Sequence, residues 1–210
     1  MFSLGEIESN CTKAARGAGL SWGVAQDCGL VARHLTELGL PGADAVFFNL
    51  KFINENHIRT IDLNFETVPE SDKPIPGVLL GIVLVDQVFK YSGEEVKIEQ
   101  SVIGPLGLLG VFIRLLPEKF CVSVRWSNMR ISLGTSGLLM TGNNMNPHRA
   151  PTINFRVQKS SRRLLLPSPV KKRLTAENWI NLTKLAQQTY VPSSERSRLF
   201  GAGGQEDDND

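Results

Sequence analysis

The sequence predicts a single α+β domain, residues 1–192, followed by a Gly-rich acidic tail, residues 193–210. Three observations carry this expectation. Apolar residues recur at helical spacing near both ends of the domain, strand-like alternation runs through its middle, and one apolar segment occurs twice. Within the domain the expected parts are a helical hairpin (1–42), a sheet region with two helix–strand repeats (45–157) and a last helix (175–190). The sheet is expected to be antiparallel or mixed, with the helices packed on it.

The hairpin is read from its punctuation. Ser3-Leu4-Gly5-Glu6 is a capping box: the Ser hydroxyl serves an orphan N–H of the first turn, and Glu three residues on reaches back. Ile7, Cys11, Ala14, Ala15 and Ala18 then form one helical stripe, and Gly17 and Gly19 end it. Ser21 is the expected cap of the second helix. Its stripe is Val24, Cys28, Val31, Leu35 and Leu38, and Gly39 and Pro41 stop it.

The middle changes character. Val46-Phe47-Phe48, Phe52-Ile53 and Ile58 to Phe65 are rich in β-branched and aromatic residues, which predicts strand, with Asn54-Glu55-Asn56 as the turn. Residues 69–76 read as a polar linker. Pro76-Gly-Val-Leu-Leu-Gly-Ile-Val-Leu84 then resembles Pro105-Leu-Gly-Leu-Leu-Gly-Val-Phe-Ile113, each with proline where a helix's first turn tolerates it. Each apolar run is followed by alternation: Val96, Ile98 and Val102 after the first, Cys121 to Trp126 after the second. Met129–Leu133 and Leu138–Met140 read as a hairpin turning at Gly134 and Gly137, and Ile153, Phe155 and Val157 as a further strand. Thr175 is placed to cap the last helix, with Trp179, Leu182 and Ala186 on its stripe.

Composition narrows the function classes. Hydrophobic residues make up 41% and charged residues 21% of 210, the balance of an ordinary globular chain. The formal charge is +2, so nothing global demands nucleic acid or a membrane. No apolar run reaches the roughly 20 residues of a membrane span. The start, Met1-Phe-Ser-Leu-Gly-Glu6, has no basic or apolar leader pattern, so no secretory signal is expected. Cys11, Cys28 and Cys121 are an odd set at irregular spacing, read as free thiols in a reducing compartment. No phosphate-binding loop, nucleophile elbow or C-x-x-C is present, and His34, His57 and His148 have no metal-ligand spacing. No metal is expected, and the cofactor is left undetermined.

Two stretches carry a resemblance. The first is Ser3-Leu4-x-Glu6-Ile7-Glu8, Lys13-Ala-Ala-Arg-Gly-Ala-Gly19, Ser21-Trp22-Gly23 and Gly39-Leu-Pro-Gly42. The second is Thr189-Tyr-Val-Pro-Ser-Ser194, Ser197-Arg198, Gly201-Ala-Gly203 and Asp208-Asn-Asp210. Together they resemble an uncharacterised bacterial family, a domain of unknown function common in proteobacteria. That resemblance implies a bacterial cytoplasmic protein and supplies no activity, cofactor or catalytic residue.

Candidate sites follow from chemistry, each beside a plain structural reading. The turn from Arg16 to Gly23 offers glycine amides (Gly17, Gly19), a cation (Arg16) and a ring (Trp22) to a small anionic ligand. A glycine turn over a core tryptophan explains the same residues. Tyr190, Arg196 and Arg198 would close that pocket, with Asp27 as a candidate base. Asp27 also fits a solvated helix face. Asp86 and Arg114 are single charges in the two apolar units, either partners or the wet edge of each helix. Cys121 near Arg125 is the thiol with the most electropositive surroundings, against the usual role of cysteine as a small buried hydrophobe. The run 156–173 holds seven basic residues and no acid, which suits phosphates or a solvated connector.

Three functions stay open, and the enzyme question is undecided. The leading expectation is an accessory or partner-binding protein of a metabolic enzyme system. It would engage a protein partner, or another copy, through exposed strand edges and the tail residues Gly201, Gly203, Asp207, Asp208 and Asp210. The second is an enzyme or binder for a small anionic metabolite at the Arg16–Gly23 turn. The third is nucleic-acid binding through residues 156–173.

Overall fold

The structure, a computed structural model, describes residues 2–61, 73–134, 137–160 and 174–189. It is an α+β fold. The chain opens with α1 (Leu4–Gly17), α2 (Trp22–Glu37) and α3 (Gly42–Glu55). It continues through β1 (Ile75–Pro76), α4 (Gly77–Asp86), the short α5 (Val88–Tyr91), β2 (Glu95–Ile98), β3 (Val102–Ile103) and α6 (Pro105–Leu115). Then come β4 (Phe120–Trp126), β5 (Met129–Gly134), β6 (Gly137–Thr141), β7 (Arg149–Ala150), β8 (Ile153–Lys159) and α7 (Ala176–Gln187).

The capping box is formed: the Ser3 hydroxyl accepts from the Glu6 amide at 3.1 Å, and the Glu6 carboxylate accepts from the Ser3 amide at 2.6 Å. All five residues of the predicted α1 stripe are buried. Ser21 occupies the N-cap of α2 without a side-chain hydrogen bond. Its first turn is exposed, so water can serve those amides.

The strand expected from residue 46 onward is corrected. Residues 42–55 are helix α3, and the helical part of the N-terminus therefore extends past the predicted boundary at 42. Ala43, Val46, Phe47, Leu50 and Ile53 are buried at spacings of helical period, and this stripe overrides the local β preference of the phenylalanines. The turn falls at Asn56 and His57. Leu63 to Phe65 lie outside the described residues.

The strands form two sheets rather than one. A three-stranded sheet has the order β1-β3-β7, and a five-stranded antiparallel sheet has the order β2-β8-β4-β5-β6. The two Leu-Leu-Gly segments are helices α4 and α6. They pack so closely that a Cβ on Gly81 would touch Val111. Each follows a short strand, and these strands pair in parallel, Ile75 with Val102 and Pro76 with Ile103. The strands after them, β2 and β4, flank β8 from either side.

One face of the five-stranded sheet is core. Phe120, Val122, Val124, Trp126, Ile131, Leu133, Phe155 and Val157 are buried there. Phe155 meets Phe112 of α6 at 5.6 Å and Tyr91 edge-on at 5.3 Å. Residues of the opposite parity face away from this core, which sets up the site below.

Two buried polar residues tie the helices together. Asn49 is fully buried in α3. Its amide donates to the Ala45 and Gly104 carbonyls, and its oxygen accepts from the Val78 amide at the start of α4. Asp44 accepts from the Thr175 amide, the Thr175 hydroxyl and the Asn178 side chain. Thr175 does stand at the N-cap of α7, but it donates its hydroxyl to Asp44 and makes no cap bond of its own.

Candidate functional site

The Arg16–Gly23 turn is built as a helix–helix junction. Gly17 lies where α7 crosses α1, and a side chain there would collide with the Leu185 carbonyl. Gly19 adopts φ +91°, the left-handed conformation that glycine takes without penalty, and the Arg59 guanidinium lies over it. Arg59 donates to the Ala18 carbonyl at 2.7 Å, and Arg16 donates to the Leu20 carbonyl. Arg59 therefore serves the C-cap carbonyl of α1, where the helix dipole favours positive charge, and Arg16 a carbonyl of the turn that follows.

Trp22 is no core residue. It is 68% exposed, and the Arg16 guanidinium lies 4.6 Å from its ring centroid. Of the residues predicted for this pocket, the structure brings Arg16 and Trp22 together. Tyr190, Arg196, Arg198, Gly201, Gly203, Asp207, Asp208 and Asp210 lie outside the described residues, as does the basic run beyond Ser160.

Asp27 sits elsewhere, half-buried on α2. Its carboxyl is held above the ordinary range, first by loss of water, with Arg114 opposing and Asp86 adding to the rise. Asp86 and Arg114 are exposed at the ends of α4 and α6, so the two single charges of the apolar units share one electrostatic neighbourhood with Asp27. Arg33 bridges α1 and α2, with Glu8 and Glu37 each at 2.9 Å. Burial raises the Cys28 thiol to about 12 and raises Cys11 as well, so both remain protonated hydrophobes at neutral pH. Among the described residues, no three His, Cys, Asp or Glu side chains converge as a metal site would require.

Sequence reasoning missed a cavity of about 330 Å³ on the outward face of the five-stranded sheet. It is lined by Cys121 and Ser123 of β4, Ser132 and Gly134 of β5, and Arg156, Gln158 and Ser160 of β8 or its end. The pairing explains the convergence. Ser123 lies opposite Ser132 on one side and Arg156 on the other, and Cys121 lies opposite Gln158. Gly134 supplies room, since it has no side chain beside the Cys121 sulfur.

The polar groups of this cavity suit an anion. The Ser132 hydroxyl donates to Ser123 at 3.0 Å, which leaves the Ser123 proton to point outward. Arg156 is anchored by two N–H groups on the Gly93 carbonyl, at 3.2 and 3.0 Å, and keeps its remaining donors. Among the described residues no carboxylate lines the cavity, and Glu95 of β2 stands beyond Arg156 in the same row. A second cavity, about 280 Å³, lies between α3 and α7 and is lined by Phe47, Lys51, Asn54 and Glu55 with Asn181, Lys184, Leu185 and Gln188. Its two lysines face one glutamate, a weaker charge bias.

Residues 2–71 match a family model described as a protein of unknown function, DUF3726. The chain is similar to that family over its first third, which includes the N-terminal motif stretch of 3–42 and excludes that of 189–210. No curated protein and no solved structure matches the chain. No described helix is long and apolar enough to cross a membrane.

Proposed function

We propose that the protein binds a small anionic ligand, a carboxylate or a phosphate, in the cavity on the outward face of its five-stranded sheet. The observation that carries this reading is the lining: hydroxyls of Ser123, Ser132 and Ser160, the Gln158 amide and the anchored Arg156, with no carboxylate among them. The ligand class is the one expected for the Arg16–Gly23 turn, at a different place in the fold. Calorimetric titration with orthophosphate and acetate tests it. Gly134→Leu fills the cavity without removing a polar group, and Arg156→Gln removes the cation. Both variants should weaken saturable binding by roughly tenfold or more, the worth of one charge-assisted bond, with the melting temperature retained. Absence of saturable binding, or equal binding by Gly134→Leu, would exclude the cavity.

A second reading, a partner-binding accessory role, is favoured by strand β6. It is an edge strand without a charged residue, and its Leu139 and Met140 are 57% and 42% exposed. A partner strand can add there through main-chain hydrogen bonds. A stoichiometric complex lost in Leu139→Lys supports this role, and one retained removes β6 from it.

A further inference from the structure

One row along the sheet from the cavity, Arg125 of β4 stands directly opposite Arg130 of β5 on the same outward face. Like charges directly opposite one another destabilise an antiparallel pair. Arg125 has an exposed contact with Glu95 at 3.3 Å. Arg130 has neither an ion pair nor a side-chain hydrogen bond among the described residues. The next cation in that row, Lys97, is held by Glu99 at 2.7 Å. The two arginines lie two residues along their strands from Ser123 and Ser132, about 7 Å away.

We infer that the ligand carries two anionic groups about 7 Å apart, one held in the Ser123–Ser132–Arg156 cavity and one clamped between Arg125 and Arg130. This rests on the cavity reading above and names the ligand class: a dicarboxylate of six or seven carbons, or a phosphorylated carboxylate of four or five. A bridging anion turns the repulsive arginine pair into two charge-assisted contacts, which gives the pair a role that packing does not supply. Glu95 positions Arg125 from the neighbouring row and leaves Arg130 open.

The test compares probes on the full chain by calorimetry. Orthophosphate and acetate fill one place at a time, whereas adipate and 4-phosphoerythronate span both. The two-anion probes should bind about tenfold tighter than the single anions, the gain of one added charge-assisted contact. Arg130→Gln should abolish that advantage while the cavity still binds a single anion. Without ligand, Arg130→Gln should raise the melting temperature, because one like-charge pair is gone. Equal affinity for both probe classes, or an advantage that survives Arg130→Gln, overturns the second subsite while the cavity stands. If no probe binds, the cavity reading falls and the inference with it.

Discussion

Asn49 is the buried polar residue that ties three helices together. With no exposure, it must find partners inside the protein, and it joins α3 to the first turn of α4 and to the entry of α6. Asn49→Ala leaves the Val78 amide without its partner, whereas the Gly104 carbonyl keeps the Gly107 amide at 2.8 Å. The expected loss is about 1–3 kcal/mol per unsatisfied buried group, read as a lower urea midpoint. A midpoint that does not move would mean water replaces the side chain. Asp27 tests electrostatics in the opposite direction. Its raised proton affinity means that the folded state holds the proton more tightly than the unfolded chain, so ionisation costs stability. That cost is absent below the ordinary carboxylate range, where both states are protonated. It is complete above the raised folded value. Asp27→Asn should therefore raise the urea midpoint at pH 7 and give a shrinking gain toward pH 4. The gain is small, because Asp27 is only half-buried and water still screens it. A gain independent of pH would assign the effect to packing. Neither behaviour was legible in the sequence. Asn49 lay in a stretch whose aromatic content predicted strand, and the neighbours of Asp27 come from elements 59 and 87 residues away.

The helices divide into those with punctuation and those without. α1 was legible because a capping box opens it and a left-handed glycine follows it. α3 was not, because only Leu38 to Pro41 separate it from α2, and Pro41, read as a stop, is the N-cap of α3. Its apolar residues keep helical spacing, and in such a segment period outweighs local propensity. The contact between α1 and α7 shows what a glycine does inside an element. Gly17→Ala forces the α7 backbone away at Leu185 and should cost about 1–3 kcal/mol, as overpacking does, with faster amide exchange in α7. Gly5 lies in the same helix with open space around it. Gly5→Ala should stabilise by a few tenths to about 1 kcal/mol by removing backbone freedom from the unfolded chain. Thermal denaturation of the two variants checks this, and a shift of the same sign in both would contradict the assigned crossing.

At the scale of the molecule, the fold places its helices on one side of the larger sheet and leaves polar side chains on the other. Alternation along β4, β5 and β8 was legible in the sequence. Which outward residues become neighbours was not, because that depends on register between residues far apart in sequence, 37 positions for Cys121 and Gln158. The same topology leaves two edges with different protection. β2 carries Glu95 and Lys97, charges that resist pairing with another sheet. β6 reads Gly137-Leu-Leu-Met-Thr141 and carries none. Its sequence is nearly symmetric about Leu139, so antiparallel pairing of two copies would set Leu139 against Leu139 and Leu138 against Met140. Such a short strand cannot bury the 1,200 Å² or so of a stable interface, so the expected association is weak and concentration-dependent. Sedimentation velocity should show it at high concentration in the unchanged chain and not in Leu139→Lys. The lysine variant should retain the melting temperature, since the replaced side chain already faces solvent. Association that persists in Leu139→Lys would place the contact elsewhere, with exposed Trp22 and Ile180 the next apolar positions to substitute.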